Sequence, residues 1–109
     1  MSGPARADVG RVFHALGDPK RRAILDRLSE RPHSVSELAK PLGITITAVS
    51  QHLQILEDCG LARTEKVGRV RTCKMASDGL DAIDLWVREH RTVWERRMDR
   101  LAEMVEDPE

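Results

Sequence analysis

Two amphipathic helical patterns, separated by a very short connection, constrain the fold of this chain more than any other feature. Ser34 or Ser36 can cap the first of these helices, and Ser34 also has the capping-box spacing to Glu37. Thr45 then predicts the start of a second helix over about residues 46–58. Two short helices joined in this way are typical of a helix-turn-helix.

The predicted second helix has two chemically different faces. Its apolar residues recur every three or four positions and predict a buried face: Ile46, Val49, Leu53 and Leu56. Its opposite face has polar residues without charge: Thr47, Ser50, Gln51 and Gln54. Such side chains can hydrogen-bond to base edges in the DNA major groove, into which a helix fits. Taken alone, a polar face is more often only the solvated side of a surface helix.

The residue pattern changes from helical to alternating after the second helix. Gly68 permits a tight turn, so the pattern predicts a β-hairpin with strands at about 61–66 and 70–75. Although the net charge of the chain is zero, three cations surround the predicted turn: Lys66, Arg69 and Arg71. Cations there can contact DNA phosphates, although a charged hairpin alone is more often a solvated edge. A helix-turn-helix followed by a basic hairpin is the winged-helix arrangement.

The two ends of the chain predict further helices. Apolar spacing predicts a helix over about 8–16, and Asp18-Pro19 starts another, which Pro32 closes. The last helix, about 79–105, is about 40 Å long and exceeds what the compact middle can cover. One face of this helix has the three- and four-residue spacing of a heptad repeat, with two non-apolar positions, His90 and Arg97. Its residues are Leu80, Ile83, Val87, His90, Trp94, Arg97, Leu101 and Met104. The simplest partner for the excess apolar surface, which includes Trp86 or Trp94, is a second copy of the chain.

The fold class is therefore predicted as mainly α with one β-hairpin, a winged helix-turn-helix with dimerisation helices at both ends. Residues 1–7 are expected to be a flexible N-terminus, 8–105 the domain and 106–109 an acidic tail. Without a long apolar run or a secretory leader, we expect a cytoplasmic protein, in which Cys59 and Cys73 are packed thiols. Enzyme motifs such as HExxH, GxSxG and the Walker loop do not occur, so the rival to DNA binding is a winged-helix protein–protein adaptor.

Several motifs between about residues 12 and 75 resemble the ArsR/SmtB family of bacterial winged-helix repressors. They are Leu16-Gly17-Asp18-Pro19 with Arg22 and Ile24-Leu25, Glu37-Leu38-Ala39, Ala48-Val49-Ser50-Gln51-His52-Leu53 with Leu56, Gly60-Leu61, and Gly68-Arg69. The tail Trp94-Glu95-Arg96-Arg97 with Leu101 resembles a branch that is often encoded beside a START-like (SRPBCC) protein. Within that branch, the chain resembles the nickel-responsive SrnR-type regulators.

The resemblance implies a homodimer, built on the first and last helices, that binds an inverted-repeat operator. The matching interface residues are Val9, Phe13, Ile83, Val87, His90, Trp94 and Leu101. The matching DNA contacts are Thr45, Thr47, Ser50, Gln51, His52 and Gln54 on the recognition helix, and Lys66, Arg69 and Arg71 on the wing. His52 matches a position near the phosphate side, and a structural histidine at the edge of the core explains it nearly as well.

Many members of this family release DNA when a metal binds. Thiolate sensing is not expected, because the helix before the recognition helix has no cysteine. Nickel, cobalt or zinc would need imidazole and carboxylate ligands, for which the candidates are His14, Asp84, Glu89 and His90. Asp84 and His90 are six positions apart, so they are not neighbours on one helix, and a site would have to form between chains. The alternative is that His90 packs in the dimer seam.

Overall fold

The computed structural model describes residues 7–106, which form five helices and a small sheet. The helices are α1 (Val9–Leu16), α2 (Pro19–Glu30), α3 (Val35–Leu42), α4 (Ile46–Asp58) and α5 (Asp78–Glu106). The strands are β1 (His33–Ser34), β2 (Ala62–Val67) and β3 (Val70–Met75). The predictions of a flexible start and an acidic tail fall mostly outside the described residues. Ala7 is half-buried against the core, and Glu106 is still part of α5.

Local capping explains why the helix-turn-helix begins and ends where it does. The hydroxyl of Ser34 accepts a hydrogen bond from the backbone N–H of Glu37, and a carboxylate oxygen of Glu37 accepts one from the backbone N–H of Ser34. Gly43 ends α3 with a φ of 65°, which glycine adopts without strain. Thr45 Oγ1 then accepts from the backbone N–H of Ala48 at 3.0 Å and caps α4. The predicted helix-turn-helix is confirmed.

The sheet contains one strand more than the predicted hairpin. Its order is β1-β3-β2, and all neighbouring strands are antiparallel. β1 is only two residues long, and its His33 lies opposite Cys73 of β3. A strand this short has no alternating pattern to recognise, which is why the sequence did not indicate it. The hairpin of residues 62–75 is called the wing. Strand β1 joins the base of the wing to the start of α3.

The hydrophobic core lies between the helix-turn-helix, α1, α2 and the base of the wing. Its largest fully buried side chains are Val12, Ile24, Leu38, Val49, Leu53, Leu56, Leu61 and Cys73. Cys59 is also buried, both thiols are unpaired, and burial raises the pKa of each. Ile46 was predicted to be buried, and this is wrong, because 55% of it is exposed. A helical side chain leans toward the helix N-terminus, so at the first position of α4 it extends past the core.

The long helix α5 leaves the compact body of the protein. It has 29 residues and is therefore about 43 Å long. Its first turns pack on α1 and on the core, where Gly79 lies so close to Leu61 that a Cβ at this position would come within 2.8 Å of the leucine side chain, and a larger residue would clash. All residues from 91 to 105 are exposed. None of the helices in the described part of the chain has the length and apolar content needed to cross a membrane.

Candidate nucleic-acid interface

The polar face of α4 is exposed to solvent because the opposite side of the same helix is buried. Val49, Leu53 and Leu56 are fully buried and hold α4 against the body. The polar face then points outward: Thr47, Gln51 and Gln54 are exposed, and Ser50 is half-buried. The Gln54 amide donates to a carboxylate oxygen of Asp58 at 2.8 Å, which orients its side chain along the helix. The structure therefore brings together the four residues that the sequence grouped.

The other two candidates on the recognition helix, Thr45 and His52, do not lie on this polar face. Thr45 is exposed at the start of α4, where its hydroxyl oxygen is the helix cap. His52 is half-buried on the inner side of α4, away from Ser50 and Gln54, because a helix has 3.6 residues per turn. Its Nδ1 lies 3.4 Å from Nη1 of the buried Arg21. This position agrees with the alternative of a histidine at the edge of the core.

The wing has a concentration of positive charge at its tip. Gly68, with a φ of 63°, and Arg69 form the two-residue turn between Val67 and Val70. Lys66 lies directly opposite Arg71 on the paired strands. Like charges at such positions destabilise a hairpin, so an anion bound between them would relieve the repulsion.

The base of the wing is electrically different from its tip. Lys74 donates to a carboxylate oxygen of Glu65 at 2.8 Å, and this hydrogen bond and charge lower the pKa of Glu65. By contrast, within residues 7–106 no carboxylate lies within 4.0 Å of the cations Lys66, Arg69 and Arg71. Within the described part of the chain, the three cations at the tip are thus free of the kind of ion pair that Lys74 forms with Glu65 at the base.

Sequence reasoning missed two exposed apolar features beside this surface. Ile46 lies at the edge of the polar face, in the first turn of α4, where an apolar side chain can contact the methyl group of thymine. Val67 and Val70 are exposed on the face of the wing opposite to Lys66 and Arg71. The exposure of Ile46 could have been predicted from its place at the first helical position, directly after the cap Thr45.

A second surface is the apolar face of α1 and α5. It is exposed at Phe13, Val87, Trp94, Met98 and Leu101. Trp86 joins it to the body: its ring meets Phe13 edge-to-face at 5.3 Å and stacks on His90 at 4.1 Å. Of the other predicted interface residues, Ile83 is half-buried against the core of its own chain and Val9 is half-buried in α1. The sequence had Trp86 only as an alternative to Trp94, whereas the structure places the two rings in contact at 5.6 Å.

The donors of a single chain do not fit a transition-metal site. No group of three or more histidine, cysteine, aspartate or glutamate side chains comes together among the described residues. Asp84 pairs with Arg88, and Nδ1 of His90 donates to the carbonyl oxygen of Trp86 at 2.8 Å. His14 and Glu89 are exposed and belong to no such group. The four candidate ligands are therefore not assembled by the fold of one chain.

The comparisons with known proteins agree with this geometry. The family described as bacterial regulatory protein, arsR family, matches residues 18–64. The HTH-type transcriptional regulator Rv2034 of Mycobacterium tuberculosis is 40% identical over 73 residues, which cover 67% of this chain and 68% of that regulator. The solved ArsR-like transcriptional regulator from Rhodococcus sp. RHA1 has 31% identity and a TM-score of 0.80, and the alignment covers 93% of each chain.

A third similar protein is described as a homodimeric winged helix-turn-helix DNA-binding domain, Mb0332 from Mycobacterium bovis. It has 26% identity and a TM-score of 0.63, covering 84% of this chain and 82% of that one. Fold, surface chemistry and relatives together define a winged helix-turn-helix DNA-binding transcriptional regulator, which is not an enzyme. The chain belongs to the ArsR family of bacterial regulators, as its motifs indicated.

Proposed function

We propose that two copies of this chain form a homodimer that represses transcription by occupying an inverted-repeat operator. The observation that carries the proposal is the arrangement of α4 and the wing. An uncharged polar face lies directly before a hairpin whose tip cations have no carboxylate partner among residues 7–106. The polar face supplies hydrogen bonds to base edges, and the cations supply contacts to phosphates.

The dimer is supported by the apolar face of α1 and α5. Trp94 and Leu101 are 48% and 60% exposed on a helix that leaves the body of its own chain. Exposed apolar surface of this extent is typical of an interaction site. A C2 dimer would cover the face with its own copy, and the similar domain Mb0332 is described as homodimeric. Two α4 helices then face two half-sites, which is why the operator should be an inverted repeat.

Operator binding tests the proposal directly. A duplex selected from a random library should be an inverted repeat and should bind by fluorescence anisotropy at least about 10³-fold more tightly than a scrambled duplex. If each wing contributes three phosphate contacts, the logarithm of affinity should fall with the logarithm of salt concentration with a slope of about −5. A winged-helix adaptor would show neither the selected repeat nor the steep slope.

The effector is a separate part of the proposal. Control by nickel, cobalt or zinc would require donors from two chains, since one chain does not assemble His14, Asp84, Glu89 and His90. Calorimetry of the purified protein with each metal, beside operator binding, tests this: saturable binding that lowers operator affinity is the expected result for a metal-controlled regulator. Absence of saturable binding would discard the metal. The nickel-responsive branch and the START-like partner stay predictions from the sequence.

A further inference from the structure

A buried arginine lies between the recognition helix and the end of α1. Arg21, in the first turn of α2, is only 8% exposed although it carries a full charge. Burying a charge costs free energy unless the charge is paired and hydrogen-bonded. The surroundings of Arg21 therefore show what this buried charge does for the fold.

The guanidinium of Arg21 contacts three different elements. Its Nε donates to the carbonyl oxygen of Ala15 at 2.7 Å, and its Nη2 donates to the carbonyl oxygen of His14 at 3.2 Å. Arg21 thus supplies hydrogen-bond donors to two carbonyl groups in the last turn of α1. A cation at this end of a helix also suits the helix dipole. Its Nη1 lies 3.8 Å from Oδ2 of Asp18, the cap of α2, and 3.4 Å from Nδ1 of His52 on α4.

The chemistry of the contact determines which ring nitrogen of His52 accepts a hydrogen bond. Arginine only donates hydrogen bonds, so Nδ1 of His52 must be the acceptor and the ring proton must be on Nε2. Asp18 faces the same guanidinium: desolvation acts to raise its pKa, but hydrogen bonds from the backbone of Arg21 and Lys20 outweigh this and lower it. Arg21 is thus anchored on α1 and α2, while its Nη1 reaches His52 on α4.

We propose that Arg21 and His52 are positioning residues, whose contact sets the orientation of α4 relative to α1. The inference rests on the proposed function, in which α1 belongs to the dimer interface and α4 enters the major groove. Two recognition helices fit two half-sites only when each keeps a set angle to the dimer axis. Losing the contact should therefore weaken binding to the operator, which requires both helices in register, and spare binding to random DNA.

A pair of substitutions at His52 separates this role from a phosphate contact. His52→Leu removes the acceptor, whereas His52→Asn keeps an oxygen acceptor close to the position of Nδ1. We expect His52→Leu to lower operator affinity about 10-fold, the usual effect of one hydrogen bond to a charged group, and His52→Asn to stay within about 3-fold of wild type. Affinity for a scrambled duplex, the salt slope and the sedimentation of the dimer should stay unchanged in both.

The other outcomes overturn the inference in distinguishable ways. Equal operator affinity for His52→Leu and wild type would remove the positioning role. A loss that is the same on random DNA, with a salt slope reduced by about one, would assign His52 to a phosphate instead. A wild-type protein without preference for an inverted repeat would overturn the proposed function and this inference with it.

A measurement on the unaltered protein covers the case in which a variant does not fold. The ¹⁵N spectrum of the imidazole ring distinguishes the two neutral tautomers of a histidine. We expect the proton of His52 on Nε2, because Nδ1 accepts from Arg21. A proton on Nδ1 would exclude the contact and overturn the inference.

Discussion

Both α4 and α5 are amphipathic helices, but the fold covers the apolar side of only one of them. In α4, Val49, Leu53 and Leu56 are fully buried within the chain, and the polar face is what solvent meets. In α5, the residues from 91 to 105 are all exposed, so residues 7–106 of the chain leave much of the apolar surface of its second half uncovered, although the ring of Trp94 contacts that of Trp86. Burial stabilises a protein by roughly 25 cal/mol per Å² of apolar surface. The uncovered apolar surface in the second half of α5 would gain this stabilisation by contact with another molecule.

The two helices accordingly have different roles in the proposed function, DNA contact for α4 and dimerisation for α5. α4 is held by its own chain and presents hydrogen-bonding groups, as a surface that reads DNA must. α5 is kept helical beyond the body by its own backbone and by exposed ion pairs such as Arg91 with Glu95 at 2.9 Å. Such pairs contribute only a few tenths of a kcal/mol each. Of five measurements, the first two test this contrast between a helix held by its own chain and one that needs a partner, and the others test the polar face of α4, the wing tip and the start of α3.

A charge in the apolar face of α5 should have the largest effect. In Leu101→Asp, the dimer would bury an uncompensated carboxylate, at a cost of about 3–5 kcal/mol in dimerisation free energy. Sedimentation should show a monomer that keeps its helical circular dichroism. Thr92→Asp adds the same charge on the other side of α5 and should leave the dimer intact. Equal behaviour of the two variants would show that this face does not dimerise.

Truncation of a buried leucine in α4 should act on folding instead. Leu53 is fully buried, so Leu53→Ala should lower the free energy of unfolding by about 2–5 kcal/mol in chemical denaturation. The same truncation at the exposed Leu101 should change the unfolding of the dilute monomer by less than about 0.5 kcal/mol. A comparable loss at both positions would mean that α5 belongs to the core of the single chain.

Removal of one amide from the polar face of α4 should affect recognition without affecting folding. Gln51→Ala should weaken operator binding by about 1–3 kcal/mol, because a base edge loses its hydrogen-bond partner. Binding to random DNA should be nearly unchanged, since phosphate contacts remain. An equal loss on random DNA, measured by anisotropy, would assign Gln51 to the backbone rather than to a base.

Removal of a cation from the wing tip should give a smaller and less selective loss. Arg69→Ala should lower affinity for all duplexes and reduce the salt slope by about one for each wing. Arg96→Ala removes an exposed cation from α5 and should leave the slope unchanged. If the slope of Arg69→Ala matches that of wild type, the wing tip does not contact phosphate.

Acid should weaken the start of α3 by a small amount. The backbone N–H of Ser34, the hydroxyl of Ser34 and Arg31 hydrogen-bond to Glu37 and lower its pKa from 4.5 to about 2. Since the folded value is the lower one, this stabilisation is complete above pH 4.5 and is lost as the pH falls toward about 2. Melting temperatures of wild type and Glu37→Gln should converge over that range. A constant difference would exclude the carboxylate as the cause.

The sequence was sufficient for features that depend on neighbouring residues. The cap at Thr45, the capping box at Ser34 and the turn at Gly68 need only local hydrogen bonds and backbone preferences, and all three are confirmed. The polar face of α4 followed from helical periodicity in the same way. The strand β1 did not, because two residues acquire extended pairing only through β3, which is about forty residues away.

The caps of the helix-turn-helix, the alternation of the wing and the polar face of α4 follow from the sequence alone, because each depends on neighbouring residues or on the period of a single element. Tertiary packing was needed to settle which side chain meets which. It exposed Ile46, joined Trp86 to Phe13, and placed the half-buried His52 against Arg21 rather than on the polar face. These outcomes depend on the angles at which α1, α2 and α4 pack, and a periodic pattern does not contain the angle between two helices.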